Sequence, residues 1–323
     1  MKNINKIKLF AFGIISLILV VSCQKETNQL TELKTPNPVD MNQNDYSFVN
    51  GRIIFNDSIA FNKHLQWVFE NQNQPELINW FNINMGFISM MSIYEIGINI
   101  DDEKDFNKYY TLYPNVFYPI EVESSVLYEL SAPSVFAYIA NEYGIYQIGE
   151  SIYRITFNHL LEIENGDESK IPILLMLVKD ISDNNIIILE THDIATKGHY
   201  SYKTSYFTSK KRIVARLYKN NIGGANYYEA RTTSQRKRFG VWWQRQITKI
   251  GVNWNQGYAK YYSWNNPITI NAQTNSYSNK ANIQRTVFIA HYSVDHNQSS
   301  CLAKHYGKDG STTKQITNNQ IFP

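Results

Sequence analysis

Arg212-Ile-Val-Ala-Arg-Leu-Tyr-Lys219, then Gly223-Gly224, then Asn226-Tyr-Tyr-Glu-Ala-Arg-Thr-Thr233 is the stretch that decides the fold class. Both runs are rich in β-branched and aromatic residues, and the glycine pair between them is a turn signal, so the stretch predicts two strands. Similar runs follow at Phe239 to Gln246, Ile247 to Trp254, Gly257 to Trp264 and Ile283 to Val294. Turn signals fall at Asn255-Gln256-Gly257, Asn265-Asn266-Pro267 and Asp309-Gly310. Half a dozen strands at this spacing predict an all-β, sandwich-like domain over residues 197–323. The 23 tyrosines suit it, since a tyrosine ring packs on a pleated face while its hydroxyl reaches water.

Upstream, residues 48–196 predict a domain of mixed character. Phe48 to Phe55 reads as a short strand. Asn56 or Asp57 then caps a helix whose buried face is Phe61, Leu65, Val68 and Phe69. Pro75-Glu76 opens a second helix that buries Leu77, Ile78, Trp80 and Phe81 and ends near Gly86. Ser89 caps a third, with Met90, Ile93 and Tyr94 inside and Gly97 as its stop. The acidic run from Asp101 to Asp105 predicts a solvated loop, Val126 to Ala140 a helical pattern, and Asn141 to Ile155 a hairpin about a glycine-centred turn. The expected fold is therefore α+β: short helices with a small hairpin module, followed by the all-β domain.

The start of the chain sets its address. Lys2, Lys6 and Lys8 precede an apolar run from Leu9 to Val21, about 13 residues and too short to span a bilayer. Val20-Val21-Ser22-Cys23 resembles the lipobox of bacterial lipoproteins. That resemblance implies a signal peptide over 1–22, lipidation of Cys23, and membrane attachment through the lipid, with the outer membrane as the expected location. Residues 23–47, with Pro36, Pro38 and several asparagines, read as a flexible tether. With Cys23 lipidated, Cys301 has no partner for an internal disulfide.

A second resemblance rests on Gly-Arg-Ile-Ile-Phe-Asn from Gly51, on Met-Gly-Phe-Ile-Ser from Met85, and on the block from Asn141 to Arg154. Together these resemble uncharacterised Bacteroides-type cell-envelope lipoproteins over residues 48–160. That likeness implies no activity and carries over no catalytic residue.

Charge is divided along the chain. Cys23 to Thr196 holds 9 Lys and Arg against 25 Asp and Glu, a balance of −16. Lys197 to Pro323 holds 19 against 3 (Glu229, Asp295, Asp309), a balance of +16. Such a split points either to an anionic partner or to two halves that neutralise each other.

Nucleophile-elbow, phosphate-loop and zinc-protease patterns are absent from the sequence. His291, His296, Cys301 and His305 are zinc-compatible residue types, but their spacing fits no common zinc pattern, so neither a metal nor a cofactor is expected. Glu121 and Glu123 share one strand face and read as a surface feature. The stronger candidate is a basic, aromatic face made by Arg231, Arg236, Lys237, Arg238, Trp242, Trp243 and Arg245, with Phe239 beside them. Guanidinium and ammonium groups meet phosphate or carboxylate while aromatic faces stack on rings. The competing reading has Trp242 and Trp243 alternating between core and solvent beside a solvated turn.

The expected function is a lipid-anchored, non-catalytic envelope protein binding an acidic glycan, lipopolysaccharide or an anionic protein, with nucleic acid not expected at that address. One alternative is an envelope hydrolase using acids of the 48–196 domain. Another is a structural protein whose oppositely charged halves only dock.

Overall fold

The computed structural model describes residues 45–322 apart from 73, 75–77, 79–81, 83–85, 101, 124, 177, 184, 191–199, 223–224, 239, 262–267, 271–273 and 292–293. Cys23, most of the tether, the boundary at 196/197 and most of the second expected helix lie outside the described residues, as do the turns at 223–224 and 265–267. The chain is mixed α+β with a β-rich body.

The first strand expectation resolves into a hairpin, β1 (Tyr46–Val49) and β2 (Arg52–Phe55). Asn50 and Gly51 both take positive φ, 52° and 74°, which is the Asn-Gly preference of a tight two-residue hairpin loop. Helix α1 (Ser58–Asn71) starts where Asp57 accepts from the backbone N–H groups of Ile59 and Ala60, and it buries Phe61, Leu65 and Val68. Helix α2 (Met90–Gly97) is capped by Ser89 and buries Met90, Ile93 and Tyr94, as its sequence predicts.

Two expectations fail here. The acidic run is the start of helix α3 (Glu103–Leu112), not a loop. Asp102 caps it by accepting from the N–H groups of Lys104 and Asp105, while Glu103 and Asp105 sit in the first turn, where the helix dipole favours acids. Val126 to Ala140 is not one helix. It divides into strand β4 (Ser125–Leu130), which pairs antiparallel with β3 (Phe117–Val122), and the short α4 (Ser134–Ala137). Pro133 stands before α4 with an extended backbone and separates the two.

The expected hairpin is β5 (Ile145–Ile148) with β6 (Ser151–Ile155). With β7 (His159–Ile163) and β8 (Ile186–Glu190) these complete a sheet of order β1-β2-β5-β6-β7-β8, antiparallel except for the β2–β5 pair. Phe61 of α1 stacks on Tyr146 of this sheet at 5.7 Å between ring centroids.

Several C-terminal strands are longer than their apolar runs, whereas β12 and β16 are shorter. One sheet has the order β12-β11-β10-β9, made by β9 (Tyr200–Thr208), β10 (Lys211–Ile222), β11 (Ala225–Arg238) and β12 (Val241–Gln244). Strand β16 (Asn282–His291) also pairs with β11. A second sheet joins β13 (Lys249–Tyr261), β14 (Ile268–Ile270), β15 (Thr274–Ser278), β17 (Val294–Asp309) and β18 (Thr312–Phe322). Asn255-Gln256-Gly257 is no turn: β13 runs through it, with a register shift against β17 between Trp254 and Gln256. Asp309-Gly310 does reverse the chain, between β17 and β18.

Strand β10 shows how the sheet is used. Successive side chains point to opposite faces. Ile213 and Ala215 turn to one face and form an apolar core with Ile247, Ile250, Ile283 and Ile316. Gly307 of the second sheet lies against Ile213, with no room for a Cβ between them. Arg212, Val214, Arg216 and Tyr218 turn to the other face, where Val214 packs on Val122 and Leu127 of the β3–β4 hairpin. The large core likewise crosses between the halves, joining Phe136 and Tyr146 to Ile222, Ala225 and Tyr227. No helix among the described residues is long and apolar enough to cross a membrane.

Gly144 and Gly240 separate backbone strain from crowding. Both have positive φ, but a Cβ on Gly144 would overlap the carbonyl oxygen of Ile155, whereas Gly240 has open space. Gly240→Ala is expected to cost about 1 kcal/mol and Gly144→Ala at least about 1–3 kcal/mol beyond that, read as urea midpoints. Equal losses would refute the close approach of β6 to the Gly144 turn.

Candidate functional site

The face of β10 and β11 turned toward the N-terminal half is polar yet buried. Glu129 of β4 sits between two guanidiniums, ion-pairing with Arg216 and, at 2.5 Å, with Arg231; all three side chains are at most 2% exposed. Arg231 also donates to the Tyr128 carbonyl at 2.7 Å. Burial, with the Arg231 charge adding to it, pushes the Arg216 guanidinium down to about 9, so it remains charged at neutral pH. Around them Asn282 donates to the Tyr94 hydroxyl at 2.9 Å, and that hydroxyl donates to the Tyr128 carbonyl.

A second buried cluster lies further along the same face. Glu229 of β11 accepts from the Ser134 backbone N–H at 3.2 Å, from Gln284 at 3.3 Å, and from the hydroxyls of Thr286 and Ser134. Gln72, at the end of α1, donates to the Thr286 carbonyl at 2.5 Å and accepts from the Thr286 N–H at 3.1 Å. Burial raises the Glu229 carboxyl to about 7 against these hydrogen bonds, which favour the ionised form. The group has no exposed surface and so meets no substrate. Neither cluster was foreseen. The available signal was charge recurring at alternate positions of two paired strands, Arg212 and Arg216 on β10 and Glu229 and Arg231 on β11, on the sheet face opposite Ile213 and Ala215.

These clusters redistribute the expected basic face. Arg231 is an internal ion-pair residue with no exposed surface, because β11 is buried on both faces up to Gln235 and its odd-numbered face meets Glu129 of the β3–β4 hairpin. Arg245 is ion-paired with Asp309 at 3.0 Å, and Lys211 shares that carboxylate at 2.9 Å. Arg236, Lys237 and Arg238 end β11, the first half-buried and the other two exposed. Trp242 is buried and Trp243 half-buried on β12, which pairs Lys237 with Trp242 and Arg236 with Trp243. The Arg212 guanidinium lies over the Trp242 ring at 4.1 Å, and the Lys237 ammonium stands 5.7 Å from the same centroid. Arg212 also pairs with Glu123, which lies in the β3–β4 turn at φ 48°, so Glu121 and Glu123 form no carboxylate pair along one strand.

Beside Trp242 lies a small open groove with room for about one water-sized molecule. Its lining includes Ile98, Phe106 and Tyr128 together with Trp242, Trp243 and Gln244. It is the place where α3, the β3–β4 hairpin and β12 meet.

Cys301 is buried, and His305 is buried with Nδ1 2.9 Å from the Thr232 hydroxyl; burial pushes its imidazole down to about 3, a neutral packing residue at physiological pH. The side chains of His291 and His296 lie outside the described residues. Among the described residues no three His, Cys, Asp or Glu side chains gather as metal ligands.

No family model and no curated protein matches the chain. It is similar to a solved DUF4848 family protein from Bacteroides thetaiotaomicron, with 16% identity over 85% of this chain and 99% of that one and a TM-score of 0.28. A score of that size is too low for the likeness to bear on fold or chemistry.

Two stability predictions follow from the buried clusters. Glu129→Gln leaves two buried guanidiniums facing each other and is expected to cost about 3–5 kcal/mol in urea unfolding, against under about 0.5 kcal/mol for Glu121→Gln on the exposed side of the same hairpin. Glu229 has its carboxyl raised in the folded state, so its contribution is full below about pH 4 and is lost as pH rises through about 7. Glu229→Gln should flatten the fall in stability between pH 5 and pH 8. An unchanged slope would mean that Glu229 is not the group titrating there.

Proposed function

We propose that this is a lipid-anchored, non-catalytic protein of the cell envelope that binds an anionic ligand at the β11–β12 end of its β-rich part. The observation that carries the proposal is the run Arg236-Lys237-Arg238. Among the described residues no carboxylate pairs with any of the three, whereas Arg212, Arg216, Arg231 and Arg245 are each held by one. Cations left unpaired at a strand end, next to half-buried Trp243, suit phosphate or carboxylate groups on an acidic glycan, a lipopolysaccharide or a partner protein. The anchor rests on the resemblance of Val20 to Cys23 to a lipobox. In this reading the two C-terminal sheets make a sandwich about the Ile213 core, carried on the tether over residues 23–47.

A specific observation also favours the docking alternative. Acids of the first half meet bases of the second at Glu123 with Arg212, at Glu129 with Arg216 and Arg231, and at Glu95 with Lys280. Part of the charge split is spent inside the molecule, and docking alone is the function if the remaining cations bind nothing. The hydrolase alternative finds less support. The shifted carboxyls of residues 48–196, Glu168 and Asp183, lie below their ordinary range, Glu168 through its hydrogen bond from Arg52 and Asp183 through the Asn185 backbone N–H and Lys170. That direction is opposite to the one a general acid needs.

The test uses the intact protein and its Arg236→Ala/Lys237→Ala/Arg238→Ala variant, titrated with lipopolysaccharide, polygalacturonate and phosphatidylglycerol vesicles over a salt series. The expected result is salt-weakened binding that the variant loses by about tenfold or more, with a shallower salt dependence. Equal binding by both proteins, or none by either, removes the anionic-ligand reading and leaves docking.

A further inference from the structure

The cationic end of β11 does not stand alone. Lys211 and Arg236 lie directly opposite each other across the β10–β11 pair. Lys237 donates its backbone N–H to the Lys210 carbonyl at 2.8 Å, so the β9–β10 turn adds an exposed lysine to the same end. The second sheet brings a like pair, Lys249 opposite Lys308, where β13 and β17 meet. Asp309, next after Lys308, ties the two sheet ends together. It accepts from Lys211 at 2.9 Å and from Nη1 and Nη2 of Arg245 at 3.0 and 3.1 Å. Like charges directly opposite across a ladder destabilise it, and here each sheet carries such a pair at one end.

Strand alternation sets where these cations point. Arg236 and Arg238 share a face of β11 with Ser234, the partner of core residue Ile213, so they stand at the mouth between the two sheets. Half-buried Trp243 is opposite Arg236 and shares that face. Lys249 and Lys308 point away from the core, because their neighbours Ile250 and Gly307 turn into it. Acids are scarce at this end. Of the other two in residues 197–323, Glu229 is buried against Ser134, and Asp295 lies opposite Lys260 toward the far end of β17. Glu123, Asp102 and Glu103 of the first half attend the other face of β10 and β11, beside Arg212 and Trp242. The cations thus run from the mouth, past Asp309, onto the outer face of the second sheet. Facing sheets pack about 10 Å apart, so no single phosphate or carboxylate reaches both sets.

We propose that the ligand is a linear acidic polysaccharide laid across the ends of both sheets, with successive carboxylates meeting Arg236 and Arg238 first and Lys308 and Lys249 further on, and one sugar ring against Trp243. The inference rests on the anion-binding reading and adds to it a polymer and a second set of contacts. A chain with an acid on each ring engages the cations in turn, and each anion bound raises the effective concentration of the next. A pyranose also offers the indole a C–H face, which an inorganic polyanion lacks.

The test titrates the intact protein, by calorimetry, with the dimer, tetramer and octamer of galacturonate, and with linear polyphosphate and phosphatidylglycerol vesicles. The octamer is expected to bind about tenfold or more tighter than the dimer. Lys249→Gln/Lys308→Gln should weaken the octamer about tenfold and leave the dimer within about twofold. That double variant removes an opposed like-charge pair, so its thermal midpoint should hold or rise, and weaker binding in it cannot be put down to unfolding. Trp243→Ala should weaken dimer and octamer alike. Equal affinity at every length, lost with Arg236, Lys237 and Arg238 but indifferent to Lys249 and Lys308, overturns the polymer and leaves a site for small anions. Polyphosphate binding as tightly as the octamer, binding to vesicles alone, or a silent Trp243→Ala overturns the sugar while leaving the anion-binding reading in place. Binding to none of the probes overturns both.

Discussion

Two guanidiniums and one carboxylate shut away from water are the constraint on which the rest of this molecule depends. Glu129 cannot be buried alone, nor can Arg216 or Arg231, because an unpaired ion in the interior costs several kcal/mol. The β3–β4 hairpin must therefore lie on β10 and β11 in the one placement that brings all three together. That placement sets Val214 against Leu127, brings the Tyr128 carbonyl to Arg231, and carries Phe106 and Tyr128 to β12, where the groove forms. Such a cluster adds little net stability over an apolar substitute. Its effect is to make alternative placements of the hairpin costly.

The same constraint explains why the central sheet has two unlike faces. One is oiled by isoleucines and alanine against the second sheet, and the other is held by charge and hydrogen bonds against the helices. Glu229 extends the polar contact, because its four donors come from α4, β16 and the Ser134 backbone. The basic surplus of the second half is thus partly internal, and the end of β11 is one of the places among the described residues where cations stand free of carboxylates.

How much of this could be read from the sequence varies by element. Helices α1 and α2 were legible because cap and apolar spacing agree in each, Asp57 with Phe61, Leu65 and Val68, and Ser89 with Met90, Ile93 and Tyr94. Helix α3 was not, because its first turn is a block of acids that resembles a solvated loop, and only Asp102 as a cap distinguishes the two. β4 was misread because Leu127 and Leu130 sit at a helical interval within six residues, too short a run to separate the two periods. The turn expected at Asn255 failed because a register shift takes up the same polar residues within a continuous strand. Trp242 and Trp243 were correctly placed beside basic residues, but Arg231 was assigned outward, since its acidic partner lies about a hundred positions earlier and no local pattern points to it. The groove shares that difficulty, being assembled from three separate segments.

The distance along the chain between these partners has a kinetic meaning. Arg216 follows Glu129 by 87 positions, and Thr286 follows Gln72 by 214. Contacts so far apart are reached only after long loops close, which slows folding of strand-rich chains. A chain made from its amino end exposes Glu129 to water through the whole synthesis of β5 to β9, and it buries that charge only when β10 and β11 arrive. Docking then strips water from an acid and two bases in one concerted event. Unfolding must likewise rehydrate all three together, which raises the barrier to opening and slows the loss of the folded state.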